Sequence, residues 1–341
     1  MDKENYYEIK AVSQSQLTNL SYGPKYYKNN LDKVQEDTEA MTIGSLVDCL
    51  LTEQEAFDKK YYISKFSKPT AQMGLYVDLL FKSYVEDEGI LHHENAYEQL
   101  KLDNGGKLRD SLEKFKERFE VEGRNYFDEL VIGTNYKVIT PEQYDTAKKV
   151  VESLLTNEFT SKEFLGEEVL YQLEITWDYI SPVDNEVTKC KSKLDLVVIN
   201  HSKHEICPKD IKVKMDSVGD FYSSYLKFRY DLQAAFYSEA LEQFILDNDL
   251  FDKNGKCYTI KPFRFIVESA KYPGTPLIFE ISLNDLNTGR YGGYYKGRYY
   301  KGYVELIEEL KYYEKNNRFD YEKSVIENGG VVQLNVFDEE E

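Results

Sequence analysis

Cysteine is scarce in this 341-residue chain, and its four copies, Cys49, Cys190, Cys207 and Cys257, are scattered without C-x-x-C spacing. That pattern excludes a zinc ribbon and a disulfide framework. No apolar run approaches the roughly eighteen residues that a membrane-crossing helix needs, and no N-terminal secretory pattern is present. The expectation is a soluble, cytoplasmic protein with no membrane partner. No glycine-rich loop ending in Gly-Lys-Ser/Thr occurs, so no ATP-driven motor is encoded. The four histidines, His92, His93, His201 and His204, stand in polar, loop-like contexts and read as solvated rather than catalytic. Basic residues are also in deficit: 43 Lys and Arg face 61 Asp and Glu, a net charge of −18. This excludes a protein that grips a polyanion by overall positive charge, and any such contact must come from local segregation. Internal repeats and low-complexity stretches are absent.

What is present is a set of chemistry-bearing residues on alternating elements. Residues 187–199 are rich in strand formers and end in an apolar run, and residues two apart on a strand share a face. Lys189, Lys191, Lys193 and Asp195 therefore line one side, with Cys190, Ser192 and Leu194 on the other. After a polar turn at 200–203, residues 205–213 read as a second strand, and the two form a hairpin. On it Asp210 and Lys212 share a face, while Ile211 and Val213 point the opposite way. Two carboxylates on neighbouring strands suit a hard cation such as Mg²⁺, and a lysine two residues from one of them can offset negative charge or help activate water. The segment 223–244 lacks Pro and Gly and reads as one helix, with Arg229, Gln233 and Tyr237 at i, i+4 and i+8 on one face. Taken singly, Asp-Ile-Lys fits an exposed strand edge, Asp195 a solvated partner for the lysines, and Gln233 with Tyr237 a half-buried helix face. Taken together they supply what metal-dependent phosphodiester cleavage requires.

The order D…D-x-K…Q-x-x-x-Y resembles the PD-(D/E)XK nuclease superfamily, in the branch that holds RecB-type nuclease domains, Cas4 and phage exonucleases. Within it the chain is most similar to the RecE/exonuclease VIII type. The likeness rests on 13–17 (Ser-Gln-Ser-Gln-Leu) with 24–27 (Pro-Lys-Tyr-Tyr), on 44–51 (Gly-Ser-Leu-Val-Asp-Cys-Leu-Leu), on 139–142 (Ile-Thr-Pro-Glu) and on 225–244. It runs with gaps from about residue 13 to about residue 320, and 229–237 is its most specific part. The resemblance implies an α/β (α+β) restriction-endonuclease-like core, a mixed central sheet flanked by helices, with an N-terminal helical region. It implies a Mg²⁺- or Mn²⁺-dependent exonuclease that degrades linear double-stranded DNA, 5′-to-3′, in phage or bacterial recombination. Asp195 and Asp210 would ligate the metal, with the Ile211 carbonyl adding an oxygen. Lys212 would be the catalytic lysine, and Gln233 and Tyr237 would position the DNA backbone or the attacking water. Lys191, Lys193 and Arg229, with Gln233 and Tyr237, are the expected DNA contacts. A ring-shaped trimer or tetramer and a single-strand annealing partner are implied by resemblance alone.

One departure stands out. The family's early Gly-x-x-x-His motif becomes Gly44 followed by Asp48, which is either a third metal ligand or a polar residue on an apolar helix. The late cysteine group of iron–sulfur relatives is missing, so no cluster is expected. Two other functions stay open: an inactive nuclease-fold interaction protein, suggested by the acidity and the lost histidine, and a Cas4-like or endonuclease activity.

The whole chain, 1–341, reads as one nuclease domain. Residues 65–135, charged and sparse in apolar positions, form a helical insertion or lid, and 336–341 an acidic, disordered tail. Thr140-Pro141 starts a helix that reaches Leu155. Residues 168–180 read as a strand that brings Glu174 toward the site, and strands follow near 263–268 and 277–281. A final helix is expected over 286–316. Within it, 287–304 holds six tyrosines, four basic residues and no acid, which read as sheet packing or as base stacking.

Overall fold

The structure is a computed structural model, and it describes residues 6–31 and 38–332. The expected acidic tail at 336–341 lies outside these. The chain divides into two compact units, one of Met1–Gly44 with Lys149–Glu341 and one of Ser45–Lys148.

The first unit is built on a seven-stranded mixed sheet. Its centre is the expected hairpin, Val187–Asn200 against Glu205–Lys214, antiparallel from Asn200↔Glu205 to Leu196↔Lys209. Glu168–Ile180 joins the outer side of the first hairpin strand, and Val12–Ser13 pairs with that strand in parallel. Arg264–Ser269 runs parallel to the second hairpin strand and carries Leu277–Glu280 on its far side. The alternation read from the sequence holds. Cys190, Ser192 and Leu194 are buried, and the lysines between them are more exposed. From Leu196 to Ile199 every residue is buried, as expected where a strand is covered on both faces. The main core joins Trp177, Leu194 and Val197 to Leu232 and Phe236 of the helix Tyr230–Asp247, and to Leu306 and Leu310 of the helix Tyr303–Asn316.

Two expected helices are interrupted, each for a local reason. The one over 223–244 splits into Phe221–Phe228 and Tyr230–Asp247 at Arg229, whose backbone is left-handed (φ 55°, ψ 52°). Burial of Arg229 and its bidentate pairing with Asp231 over-determine that conformation. The one over 286–316 becomes the helix Leu283–Tyr291, the strand pair Gly293–Tyr295 and Arg298–Tyr300, and the helix Tyr303–Asn316. Lys296 and Gly297 both have positive φ, 49° and 72°, as a two-residue hairpin turn of the mirror type demands. Gly289 serves a different end, because a Cβ there would lie 2.1 Å from the Asp231 carbonyl oxygen. This helix and the Gln233 helix thus approach backbone to backbone.

The second unit is mainly helical: Ala71–Glu86, His93–Asp103, Leu112–Arg118 and Arg124–Ile132, with a two-stranded parallel ribbon of Tyr61–Ile63 and Lys137–Ile139. It contains the stretch 65–135 read as sparse in apolar residues. Those residues nonetheless build a core of their own around Met73, Tyr76, Leu80, Leu100, Phe115, Phe119 and Phe127. Large aromatic rings at wide spacing fill a core that a count of aliphatic residues underestimates. His93 is drawn into it, bonded to the Tyr76 hydroxyl at 2.7 Å, with burial lowering its pKa. At the end of this unit the expected capping box is made: the Thr140 N–H donates to Gln143 at 2.9 Å and the Gln143 N–H returns to the Thr140 hydroxyl at 3.2 Å. The helix it opens, Pro141–Thr156, carries the chain back to the sheet unit. Among the described residues, no helix is long and apolar enough to cross a membrane.

Candidate metal-binding active site

The two hairpin strands stop pairing with each other where the acids begin. The antiparallel ladder closes at Leu196↔Lys209, so Asp195 and Asp210 stand at the next step of the same register. Beyond it the Asp210 strand continues in parallel with Arg264–Ser269. The Asp195 carboxylate takes over part of the lost ladder, accepting the Ile211 N–H at 3.1 Å. Splitting a sheet opens a cleft while keeping each strand anchored on its other side, and the side chains at the fork are held by rigid elements.

Asp210 is the hub. It is 1% exposed. Its Oδ1 accepts the Gln233 amide at 2.6 Å. Its Oδ2 meets the Lys212 ammonium at 2.5 Å in a buried ion pair. The Lys212 ammonium also sits 4.8 Å above the Tyr230 ring. Burial by itself pulls the Lys212 pKa down, but Asp210, Tyr230 and Asp195 outweigh it and hold the group above its ordinary value. Tyr237, one helical turn beyond Gln233, has its phenol pushed up by burial and then by Asp210 and Asp195, with Lys212 opposing. The hydroxyl therefore remains a neutral donor beside the two acids.

The expected residues are thus gathered unevenly. Asp195, Asp210, Lys212, Gln233 and Tyr237 converge. Ile211, expected to offer its carbonyl to a metal, is tied in through its N–H. Lys193 lies 3.2 Å from Glu174 on the adjacent strand, so Glu174 reaches this face as anticipated. Lys191, expected at a DNA path, spends its ammonium on the carbonyls of Tyr6 and Ile9 at 3.0 and 2.8 Å. Arg229 is corrected more strongly. It precedes the Gln233 helix instead of extending its face, is 4% exposed, and binds Asp231 and the Lys301 carbonyl, the latter at 2.7 Å. A guanidinium so occupied is a bracket for the helix start. Asp48 sits half-buried on the helix Glu39–Thr52, between Val47 and Cys49, which are buried. Asp48 belongs to the second unit, whereas Asp195 and Asp210 belong to the first. Tyr230 was missed by sequence reasoning. Its signal was an aromatic residue three positions before Gln233, on the turn that faces the same strand.

The donor set fits a hard divalent cation. Asp195 and Asp210 stand at the same step of the hairpin register, with the Lys212 ammonium beside Asp210. Carboxylate oxygens offered from neighbouring strands are the hard ligands such a cation prefers. With two protein carboxylates, water and phosphate oxygens would complete the shell, as Mg²⁺ prefers.

Solved structures give remote likenesses. A candidate exonuclease from Eubacterium rectale shares 15% identity at a TM-score of 0.43, covering 97% of this chain and 88% of that one. The protein SSO0001 shares 11% at a TM-score of 0.26, covering 82% and 88%. No curated protein matches the chain. The model of the PDDEXK-like domain of unknown function DUF3799 matches residues 13–260, well over half of the length and the whole of the site just described. The chain belongs to this PDDEXK-like family, and its mixed sheet flanked by helices is a PD-(D/E)XK nuclease fold.

Proposed function

We propose that this protein is a Mg²⁺- or Mn²⁺-dependent deoxyribonuclease that hydrolyses phosphodiester bonds at the ends of linear double-stranded DNA. The observation that carries this reading is the meeting of Asp195, Asp210, Lys212, Gln233 and Tyr237 at the fork of the sheet, around the buried Asp210 carboxylate.

Asp195 and Asp210 would hold the cation, which when bound polarises the scissile phosphate and lowers the pKa of a coordinated water. Gln233 fixes the Asp210 carboxylate by donating to Oδ1, leaving Oδ2 for the ion. Lys212 stands beside Oδ2 and over Tyr230, placed to offset negative charge that grows on the phosphate oxygens. Tyr237 presents a protonated hydroxyl that can orient a phosphate oxygen or the attacking water. No side chain here is built as a nucleophile, so hydrolysis proceeds without a covalent enzyme intermediate.

End-labelled linear duplex and closed circular DNA, incubated with Mg²⁺ or Mn²⁺, test the proposal. The wild type should shorten the linear duplex and leave the closed circle intact, and Asp210→Ala should leave both intact. Equal digestion by wild type and Asp210→Ala would reject the site. Nicking of closed circles would make the enzyme an endonuclease. Complete inertness with every divalent cation would favour a non-enzymatic role for the fold.

A further inference from the structure

Two cavities in the sheet unit share a wall, and neither includes Asp195 or Asp210. The first, about 470 Å³, is an aromatic slot. Phe221, Tyr225, Phe265 and Phe279 line it, and Tyr294 and Tyr295 stand over it from the 293–300 hairpin. Three acids also line this slot, and each is occupied. Asp231 binds Arg229, Glu280 binds Arg264 at 2.7 Å, and Asp285 accepts the Tyr225 hydroxyl at 3.3 Å. The second cavity, about 530 Å³, is basic, lined by Lys227, Arg298 and Lys301. Its acid, Glu322, is paired with Lys301 at 3.2 Å. Among the described residues, Lys227 and Arg298 stand in no ion pair with a carboxylate. The shared wall is Leu226, Arg229 and Tyr300, and the Tyr300 ring lies within 5.3 Å of the Arg229 guanidinium and 5.2 Å of Arg298.

An aromatic slot beside a basic one matches the two halves of a nucleotide, a π-face and a phosphate. A base still paired inside a duplex cannot enter such a slot. We propose that the two cavities form a subsite for unpaired DNA, the base stacking among Tyr294, Tyr295 and Phe279 and the phosphate lying against Lys227 and Arg298. This deepens the nuclease reading and rests on it, since digestion of one strand of a duplex creates unpaired DNA. The subsite abuts the active site through two residues. Tyr230, between the wall residues Arg229 and Asp231, carries the Lys212 ammonium over its ring, and Phe265 stands in register with Asp210. The uncompensated cations set this face apart from an ordinary protein-docking patch, which would leave Lys227 and Arg298 without a counter-charge.

The test is fluorescence anisotropy in EDTA, where nothing is cleaved. The probes are a labelled oligothymidylate of about a dozen nucleotides and an abasic strand of equal length. Wild type should bind the thymidylate about tenfold more tightly than the abasic strand. The pair Tyr294→Ala and Tyr295→Ala, both exposed and so compatible with folding, should erase that preference. Arg298→Glu should weaken both probes and flatten the salt dependence. Equal wild-type affinity for the two probes overturns the subsite without involving any variant. Loss of self-association in sedimentation, with strand binding intact, assigns the face to a second copy and also overturns it. Should duplex digestion succeed while the base preference is absent, the subsite falls and the nuclease stands. A base preference without any digestion under Mg²⁺ or Mn²⁺ leaves the subsite standing and the nuclease reading fallen.

Discussion

Lys209 and Asp210 are consecutive residues of one strand, both nearly inaccessible at 4% and 1% exposure, and they face opposite sides of the sheet. Their surroundings differ sharply. The Lys209 ammonium lies 3.0 Å from a Glu163 carboxylate oxygen and also donates to the Glu163 carbonyl. Glu163 is further held by Arg264 at 3.0 Å, and Arg264 by Glu280. Every charge there has an opposite partner. Asp210 instead stands beside a second acid, Asp195, at the same step of the hairpin register, with its Oδ2 against the Lys212 ammonium. A satisfied buried network costs desolvation and returns rigidity. Acids gathered on neighbouring strands are instead an arrangement that a bound cation would relieve. The difference teaches which face is scaffold and which is site.

Five measurements would break or sharpen this contrast. The largest effect belongs to Asp210→Ala, which should lower the rate of linear-duplex digestion by at least about 10³-fold. With it should vanish the stabilisation by Mg²⁺ that saturating cation gives the wild type in thermal unfolding, about 2.7 kcal/mol at a hundredfold excess over Kd. On the scaffold face Glu163→Ala strands Lys209, while Arg264 keeps Glu280. It should cost about 3–5 kcal/mol in urea unfolding, while digestion per folded molecule changes little. If both substitutions instead acted on stability alone, the division into scaffold and site would collapse. Gln233→Leu frees the Asp210 carboxylate to rotate and should raise the Mg²⁺ concentration needed for half-maximal digestion about 10–100-fold. Asp48→Asn tests the third ligand. A shift of about tenfold in the same titration would enrol it, and an unchanged curve would leave it a polar residue of its helix. The smallest effect is chemical. Burial pushes the Cys190 thiol, on the covered face of the Asp195 strand, up to about 12. A thiol whose pKa is raised stays protonated throughout the pH range below that value, so Cys190 should resist thiol reagents at pH 8 until urea unfolds the protein. Exposed Cys257 should react at once.

Much of the site was legible because its signals are local. Alternation along 187–195 placed Asp195 on the open face, D-x-K placed Lys212 beside Asp210, and four-residue spacing placed Tyr237 above Gln233. What escaped depended on distant partners. Arg229 breaks the helix because Asp231 and the Lys301 carbonyl, 72 residues away, both bind it. The tyrosine-rich stretch became a hairpin because Lys296-Gly297 takes a two-residue turn, a signal outweighed in the sequence by the helical pattern on either side. The helical unit was underestimated because its aromatic positions make sense only when four short helices share them.

By itself, then, the order of residues determined the strands around the central hairpin and the facing of each acid and lysine along its own element. Those follow from backbone periodicity, which needs no knowledge of neighbours. Tertiary structure decided that the hairpin forks at Asp195 and Asp210, that Lys191 and Arg229 are consumed by backbone carbonyls and an acid, and that Asp210 is buried between the Gln233 amide and the Lys212 ammonium. Satisfaction of a buried polar group is a property of everything packed around it, and no single segment carries that information.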